Sequence, residues 1–372
     1  MPDPRRRRGT RFPLPAVLAL AVAALLSNHP SVLAIAEWGA TQPRNLLQRL
    51  GFPGGVTPHQ STRQRLFCKL DPVALASALR QCFDPPARGT PPMRGVQGVA
   101  LDGKAQRGRL AFAHHGSTVH ALSAVDHDRG VVLAQLPITA HTDKAEAELT
   151  VAPTLSARLH WRGRVLTGDA LCCQRSRCEQ VLAAGGDYLL IVKENQPTLY
   201  EDLRLLFAPD PSYRALPLTD RREARTVEHG HGRHYDTRHL VASTDLVGYS
   251  DWPGLAQVWR WVRTWREQAA DKPEVRYGIT SLPPTVADAA RLLTLKRRHW
   301  EIENGLHYVK DVTLGEDRSL IHLGAGPSVM AMLRDTVVSL LHHVGCRTIA
   351  SRLRYHSSHP GAAVALVRAE NA

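Results

Sequence analysis

Short apolar runs alternate with helical stretches between residues 95 and 207, and this alternation constrains the fold more than any other feature of the chain. The apolar runs are rich in Val, Leu and Ile and are bounded by Gly and Asp, as buried strands are. Strands that alternate with helices are typical of a mixed sheet with helices on its faces. The sequence therefore predicts the α/β fold class.

The predicted elements follow one another in a simple order. They are a strand over 95–103, a hairpin over 118–138 that turns at 126–130, a helix over 144–160, a strand over 162–170, a helix over 174–184, a strand over 187–193 and a helix over 196–207. Three β-like runs rich in Arg, His and Trp come next and predict a β-rich insertion. Helix then resumes at Thr285 and runs, with a break, to Lys310, and a last helix is predicted over 327–344.

The N-terminal residues have a helical pattern with Gly- and Pro-rich breaks. Helices are predicted over 15–27, 31–40, 60–70 and 71–82. The apolar run 17–26 follows four arginines and imitates a secretory signal, but Pro13 and Pro15 interrupt its start and it leads into another amphipathic segment. A buried helix pair is the preferred interpretation, and a secreted protein is the alternative. The many arginines here suggest DNA contacts, with ordinary surface arginines as the alternative.

These patterns divide the chain into five regions. They are a helical N-terminal region (1–88), the first part of the α/β domain (89–209), the β-rich insertion (210–285), the completion of the α/β domain (286–345) and a polar C-terminal tail (346–372).

The chain is strongly basic. Its 47 Lys and Arg against 34 Asp and Glu give a net charge of +13 and a pI near 9.9. A polyanion is the simplest partner for such a protein, and nucleic acid is the commonest polyanion. The six cysteines are too few and too unevenly spaced for a disulfide framework, so a reducing cytoplasm is expected. Cys172, Cys173 and Cys178 are interpreted as packing residues, with metal binding as the weaker alternative.

Residues 298–317, RHWEIENGLHYVKDVTLGED, predict a helix with one functional edge. A wheel at about 100° per residue places Ile302, Leu306 and Val309 on an apolar stripe. The neighbouring stripe carries His299, Trp300, Glu303, His307 and Lys310. Glu301 falls on a different side, so Glu303 is the glutamate that shares a face with His and Lys. An ordinary solvated face is the alternative interpretation.

Asp102 and Asp169 each end an apolar strand, where a side chain can project from the edge of a sheet. A turn at Asp102 and a helix cap at Asp169 are the structural alternatives. Carboxylates that meet at one sheet edge repel one another unless a cation neutralises them. Mg²⁺ prefers such oxygen ligands, and paired ions of this kind promote in-line phosphodiester chemistry.

The ordered motifs ALDGK, TGDALCCQ, KENQPTLYEDL and HWEIENGLHY closely resemble those of the ISAs family of bacterial insertion-sequence transposases. These are DDE enzymes of the IS-four group with an RNase H-like catalytic domain, a mixed sheet flanked by helices. PDPRRRRGTRFPL and SVLAIAEW resemble the family's N-terminal associated region, and HGHGRHYDTR its β-insertion. The resemblance implies that Asp102, Asp169 and Glu303 are the catalytic, metal-binding triad, with Mg²⁺ as cofactor and Mn²⁺ as a substitute.

The resemblance also implies DNA contacts. In the wider group this helix carries Tyr-x₂-Arg-x₃-Glu-x₆-Lys, and Lys310 matches the Lys, whereas His299 and Lys296 stand at the Arg and Tyr positions. The predicted DNA-binding residues are Lys310, His299, His307, Trp300, Asn304, Lys104 and Lys193. For Trp300, packing of the helix is the favoured alternative.

The predicted partners are the terminal repeats of the element and its target DNA, with no membrane. Since two DNA ends must be held together, at least a dimer is expected on DNA. Three other readings remain open. A decayed or domesticated copy would bind DNA without cutting it, a glycosidase would use two carboxylates on a sugar, and a secreted protein would have a processed N-terminus.

Overall fold

The computed structural model describes residues 1–6, 10–83, 95–105, 120–138, 144–208, 218–229, 235–265 and 273–369. The chain forms two compact units, each built from separate stretches of sequence. The first unit contains residues 1–88, 103–151 and 301–372, and the second contains residues 89–102 and 152–300.

The strands are β1 (Gln97–Ala105), β2 (His120–Asp126), β3 (Val132–Ile138), β4 (Arg164–Gly168), β5 (Asp187–Val192), β6 (Arg222–His229), β7 (Tyr235–Ser243), β8 (Gln257–Trp265) and β9 (Glu274–Thr280). The helices are α1 (Leu14–Leu26), α2 (Val32–Thr41), α3 (Arg44–Arg49), α4 (Gln60–Lys69), α5 (Pro72–Phe83), α6 (Lys144–Ser156), α7 (Arg175–Ala183), α8 (Pro197–Leu206), α9 (Ala289–His299), α10 (Gly326–His343), α11 (Ile349–Ser358) and α12 (Pro360–Arg368).

The second unit is built on a large mixed sheet with the strand order β1-β4-β5-β9-β8-β7-β6. β1, β4 and β5 run parallel, as strands joined by helical crossovers must, and β5 pairs antiparallel with β9. The strands β6 to β9 continue as antiparallel neighbours. The predicted α/β class, with a mixed sheet flanked by helices and extended by a β-rich insertion, is confirmed.

Helices cover both faces of this sheet. On one face, α9 packs with Leu292 and Leu295 against a core that includes Trp259 and Trp261. On the other face, α8 contacts β8 and β9, where Phe207 stacks on Tyr277. Adjacent strand residues point to opposite faces, so Gly278 lies on the side of Trp259. A Cβ at Gly278 would collide with the Trp259 ring, which explains the glycine.

The first unit contains the N-terminal helices, the antiparallel pair β2 and β3, and the C-terminal helices. Its central helix is α1, which is buried along most of its length and contacts α2, α10 and α12. The buried-helix interpretation of the apolar N-terminal run is therefore confirmed. The hairpin turns as predicted, with Gly130 in the left-handed conformation at φ 64°. Within the described residues, every helix is too short or too polar to cross a membrane.

The structure differs from the predicted elements in four places. The first β-like run of the insertion forms two antiparallel strands, β6 and β7, and not one. The region predicted as a polar tail contains α11 and α12. A short helix, α3, was not predicted. The helix predicted to reach Lys310 is an α-helix only to His299, beyond which its hydrogen bonding changes.

Candidate active site

Asp102 and Asp169 lie in the second unit, on neighbouring parallel strands. The last paired residues of β1 and β4 are Ala100 and Thr167, and each aspartate comes two positions later in its own strand direction. Equal offsets from one pair of partners place the two residues at the same level of the sheet. Asp102 lies inside β1, which continues to Ala105, whereas Asp169 directly follows β4. The sequence predicted this juxtaposition correctly, although it ended the first strand two residues early.

Asp169 also caps the turn that follows it. Its Oδ1 accepts hydrogen bonds from the backbone N–H of Leu171 at 3.0 Å and of Cys172 at 3.4 Å. The preceding Gly168 is required by packing, because a Cβ there would lie 2.9 Å from Cys172 Sγ. The capping alternative is therefore correct for Asp169. It leaves the carboxylate exposed, and both of these hydrogen bonds are made to one oxygen, Oδ1.

The cysteines behind this turn pack in the protein interior. Cys173 and Cys178 are fully buried. Burial raises the pKa of the Cys178 thiol to about 11 and raises the pKa of the Cys173 thiol further. Metal ligation requires thiolates, so protonated thiols favour the packing interpretation.

His299, at the end of α9, contacts the strand that leads to Asp169. Its Nδ1 lies 3.2 Å from Thr167 Oγ1. Burial lowers the pKa of the His299 imidazole to about 4, and the attraction of Asp169 only partly opposes this. The ring is therefore neutral near pH 7 and brings no positive charge to a phosphate.

Lys296 lies one turn earlier on α9 and is also buried. Its Nζ sits 3.4 Å from the centre of the Trp261 ring, a cation–π contact. Burial lowers the pKa of the Lys296 ammonium to about 7, and the distant charge of Glu274 only partly offsets this. The residue at the family's Tyr position thus packs against the β-rich insertion.

The next residue, Arg297, forms an ion pair with Glu228 on β6. Glu228 also accepts from Arg238 at 2.8 Å, and Arg238 in turn binds Asp236. Arg263 on β8 donates to the same Asp236 at 2.9 Å. Alternating charges therefore connect the last turn of α9 to three strands of the insertion.

Beyond residue 300 the chain enters the first unit and its helix widens. Glu303–His307 and Val309–Thr313 are π-helical, with i to i+5 hydrogen bonds from Tyr308 N–H to the Glu303 carbonyl and from Leu314 N–H to the Val309 carbonyl. A π-helix turns less per residue than the α-helix assumed in the wheel. The predicted edge is therefore split, since Glu303 is exposed whereas His307 and Lys310 are buried.

Glu303 is held by a side chain from its own helix. His307 Nδ1 lies 3.1 Å from Glu303 Oε2, while the Glu303 side chain remains 56% exposed and that of His307 only 5%. With its proton on Nδ1, His307 donates to the carboxylate and orients it. His307 was predicted to contact DNA, but the structure places it beneath Glu303.

Lys310 and Lys104, both predicted to contact DNA, belong to a buried ion cluster of the first unit. Lys310 Nζ lies 2.8 Å from Asp335 and 3.6 Å from Glu316. Lys104 Nζ lies 2.6 Å from both carboxylate oxygens of Asp311. Burial opposes the charge on Lys310, but the attraction of its two carboxylates raises the pKa of this ammonium.

The three remaining predicted DNA contacts are accessible. The Trp300 side chain is 55% exposed, and Asn304 and Lys193 are exposed as well. This exposure does not support the packing role that the sequence favoured for Trp300. Tyr308 was not among the predicted site residues, yet it is 57% exposed and directly follows His307. Tyr308 lies one π-helical turn after Glu303, a relation that an α-helical wheel does not reveal.

Comparison with known families identifies the class of protein. The family described as "Transposase DDE domain" matches residues 95–339, and the family "DDE_Tnp_1-associated" matches residues 1–82. The first match alone covers more than half of the 372 residues. The chain therefore belongs to the DDE transposase family.

Individual relatives agree with this assignment. The chain is 28% identical to "Putative protein YbfL" and 27% identical to "H repeat-associated putative transposase YhhI", both of Escherichia coli K12, over 92% of this chain and 88% of each relative. The matches support a DDE-type insertion-sequence transposase. Among solved structures, a piggyBac transposase synaptic complex with hairpin DNA is 10% identical with a TM-score of 0.40, covering 96% of this chain and 72% of that one.

Proposed function

We propose that this protein cleaves DNA at the ends of an insertion sequence and transfers the strands to a target, with Asp102, Asp169 and Glu303 as catalytic residues. The observation that carries the proposal is the equal offset of the two aspartates from the Ala100–Thr167 pair. Membership of the DDE transposase family supplies the reaction class.

The residues fit a divalent cation, Mg²⁺ with Mn²⁺ as a substitute. All three side chains offer hard oxygen donors, and those of Asp169 and Glu303 are exposed. When bound, such ions activate the attacking oxygen and stabilise the leaving oxygen of an in-line displacement. The Asp102 and Asp169 carboxylates would be held by the sheet and by the Asp169 capping bonds, respectively.

The remaining residues have separable roles. His307 orients the Glu303 carboxylate through the 3.1 Å hydrogen bond. Trp300, Asn304 and Lys193 are exposed and contact DNA in this proposal. Lys104 and Lys310 stabilise the fold through their carboxylate partners, and neutral His299 fixes the end of α9.

The partners are the two ends of the element and the target DNA. The net charge of +13 suits a chain that must bind phosphates over a long surface. We propose that two copies act together on the paired ends, in the cytoplasm, because one copy brings only one set of three carboxylates. Light scattering of the DNA complex should give at least a dimer, and a purely monomeric complex would contradict this.

The test compares two glutamates that are two positions apart, Glu301 and Glu303. Glu303→Gln should abolish Mg²⁺-dependent cleavage of duplexes that carry the flanking genomic sequence, by on the order of a thousandfold or more, because a metal ligand is lost. Binding of the same duplexes should persist. Glu301→Gln is the matched control and should cleave like the parent, since Glu301 falls outside the proposed triad.

Asp102→Asn and Asp169→Asn should behave like Glu303→Gln. If the parent protein binds the duplexes but never cleaves them with Mg²⁺ or Mn²⁺, the chain is a copy that binds DNA without catalysis. If Glu301→Gln is inactive and Glu303→Gln is active, the assignment of the third carboxylate is wrong.

A further inference from the structure

The π-helical segment presents one exposed face on which the proposed function assigns a role to Asn304 alone. Tyr308 is 57% exposed and Val312 is 59% exposed. Asn304 is exposed as well, so the face repeats every four residues. Leu306 and Lys310, which lie between these positions, are buried at 1% and 2%. We call Asn304, Tyr308 and Val312 the exposed face.

Glu303 borders this face through the geometry of the π-helix. The Tyr308 N–H bonds to the Glu303 carbonyl, so Tyr308 lies one wide turn after the carboxylate. In an α-helix, residues five positions apart point in different directions, whereas the wider π turn brings them nearer to the same side. The hydrogen-bonding pattern therefore sets an exposed aromatic residue one wide turn along the segment from the exposed Glu303.

The chemistry of the exposed face suits a base and not a phosphate. The basic residues between 301 and 313 are His307 and Lys310, and both are buried. A face without an exposed cation cannot neutralise a phosphate. A tyrosine ring can stack on a nucleobase, an Asn amide can bond to its edge, and a Val side chain can pack against its apolar atoms.

We infer that the exposed face binds a nucleobase of the DNA strand whose end is processed at Glu303, with Tyr308 as the stacking platform. This inference rests on the proposed function, since it requires DNA at Glu303. The Tyr308 ring, the Val312 side chain and the Asn304 amide would then hold the base. Glu303 would act at the phosphate as a ligand of the catalytic cation. Tyr308 becomes a DNA-contacting residue of a different kind from the predicted lysines.

The experiment uses the full chain with Glu303→Gln, which blocks cleavage. The probes are synthetic duplexes of the genomic sequence flanking the reading frame, each with one 2-aminopurine near an end. Binding should quench the fluorescence at one or two positions. Tyr308→Ala should remove this quenching and weaken binding by about 5- to 150-fold, the range for loss of one stacked base. Tyr308→Phe should keep both properties within about twofold, because its ring still stacks.

Two controls make the result specific. Tyr249→Ala removes a tyrosine that is 74% exposed in the second unit, and it should leave quenching and affinity unchanged. Tyr308→Leu keeps apolar bulk without a ring and should lose the quenching as Tyr308→Ala does. Thermal unfolding should match the parent for each variant, since the altered side chains are exposed.

The inference is overturned if Tyr308→Ala and Tyr308→Leu bind and quench like the parent while the wild-type chain cleaves these DNAs. It is also overturned if Tyr308→Ala turns a DNA-free dimer into a monomer in light scattering, because the face would then join two copies of the chain. Absence of cleavage by the wild-type chain would instead count against the proposed function, and the quenching experiment would still report on the face.

Discussion

The helix α9 and the segment Glu303–Thr313 follow one another closely in sequence, yet they obey different geometries. α9 is a regular α-helix that begins at a cap, where Asp288 accepts from Arg291 N–H at 2.8 Å, and it buries Leu292 and Leu295. The later segment uses i to i+5 hydrogen bonds. A wheel of 3.6 residues per turn therefore describes the first region and misplaces side chains in the second.

The two regions also shift the pKa of a buried lysine in opposite directions. Lys296 on α9 lies over the Trp261 ring, and burial lowers the pKa of its ammonium. Lys310 in the π-helical segment lies between two carboxylates, which raise the pKa despite burial. Burial alone does not decide the charge of a lysine, because the partner in contact determines which protonation state is favoured.

The largest effect on stability is expected from disrupting the buried ion cluster around Lys310. Lys310→Met should lower the free energy of unfolding by about 3–5 kcal/mol, because it leaves buried Asp335 and Glu316 with less compensating charge. Denaturant unfolding would measure this. Lys69→Met, at an exposed position, is the matched control and should change little. If Lys310→Met unfolds like the wild type but binds DNA weakly, Lys310 is a DNA contact as the sequence predicted.

A smaller, pH-dependent effect is expected at Lys296. Its pKa is about 7 in the folded chain and 10.5 ordinarily, so the unfolded chain binds more protons between these values. The free energy of unfolding of the wild type should therefore rise with pH in this window, relative to Lys296→Met, by up to about 1.4 kcal/mol per pH unit. The free energy of unfolding of both proteins is measured from pH 7.5 to 9.5, a range of about two units. If it changes in parallel for the two proteins, the ammonium is not buried.

The smallest effect concerns the charged connection between α9 and the insertion. Arg297 and Glu228 are each more than a third exposed, so their ion pair should contribute only about 0.2–1 kcal/mol. A double-mutant cycle with Arg297→Gln and Glu228→Gln measures the coupling. Coupling that stays undiminished at high salt would contradict a solvent-screened pair. Arg204 and Glu201, which form an exposed pair on α8, provide the comparison cycle.

Elements were predicted correctly where the spacing of apolar residues in the sequence matches the strand or helix that forms. The strand and helix bounds between 95 and 207 agree within a few residues because each apolar run packs on both faces. The position of Asp169 followed from the strand before it, and its capping role followed from the Ala and Leu after it. The candidate site was less predictable, since Glu303, its proposed third carboxylate, lies where the helical period changes.

The chain by itself determined the α/β class and the basic charge, because these depend on composition and period. Its ordered motifs predict Glu303, not Glu301, as the third carboxylate, and this choice stays a prediction. Only the tertiary structure decided which cations are accessible. Lys104 and Lys310 have the residue type of DNA contacts, but long-range packing gives them Asp311 and Asp335 as partners. It likewise exposed Tyr308, since a π turn arises from packing and leaves no distinct pattern in the sequence.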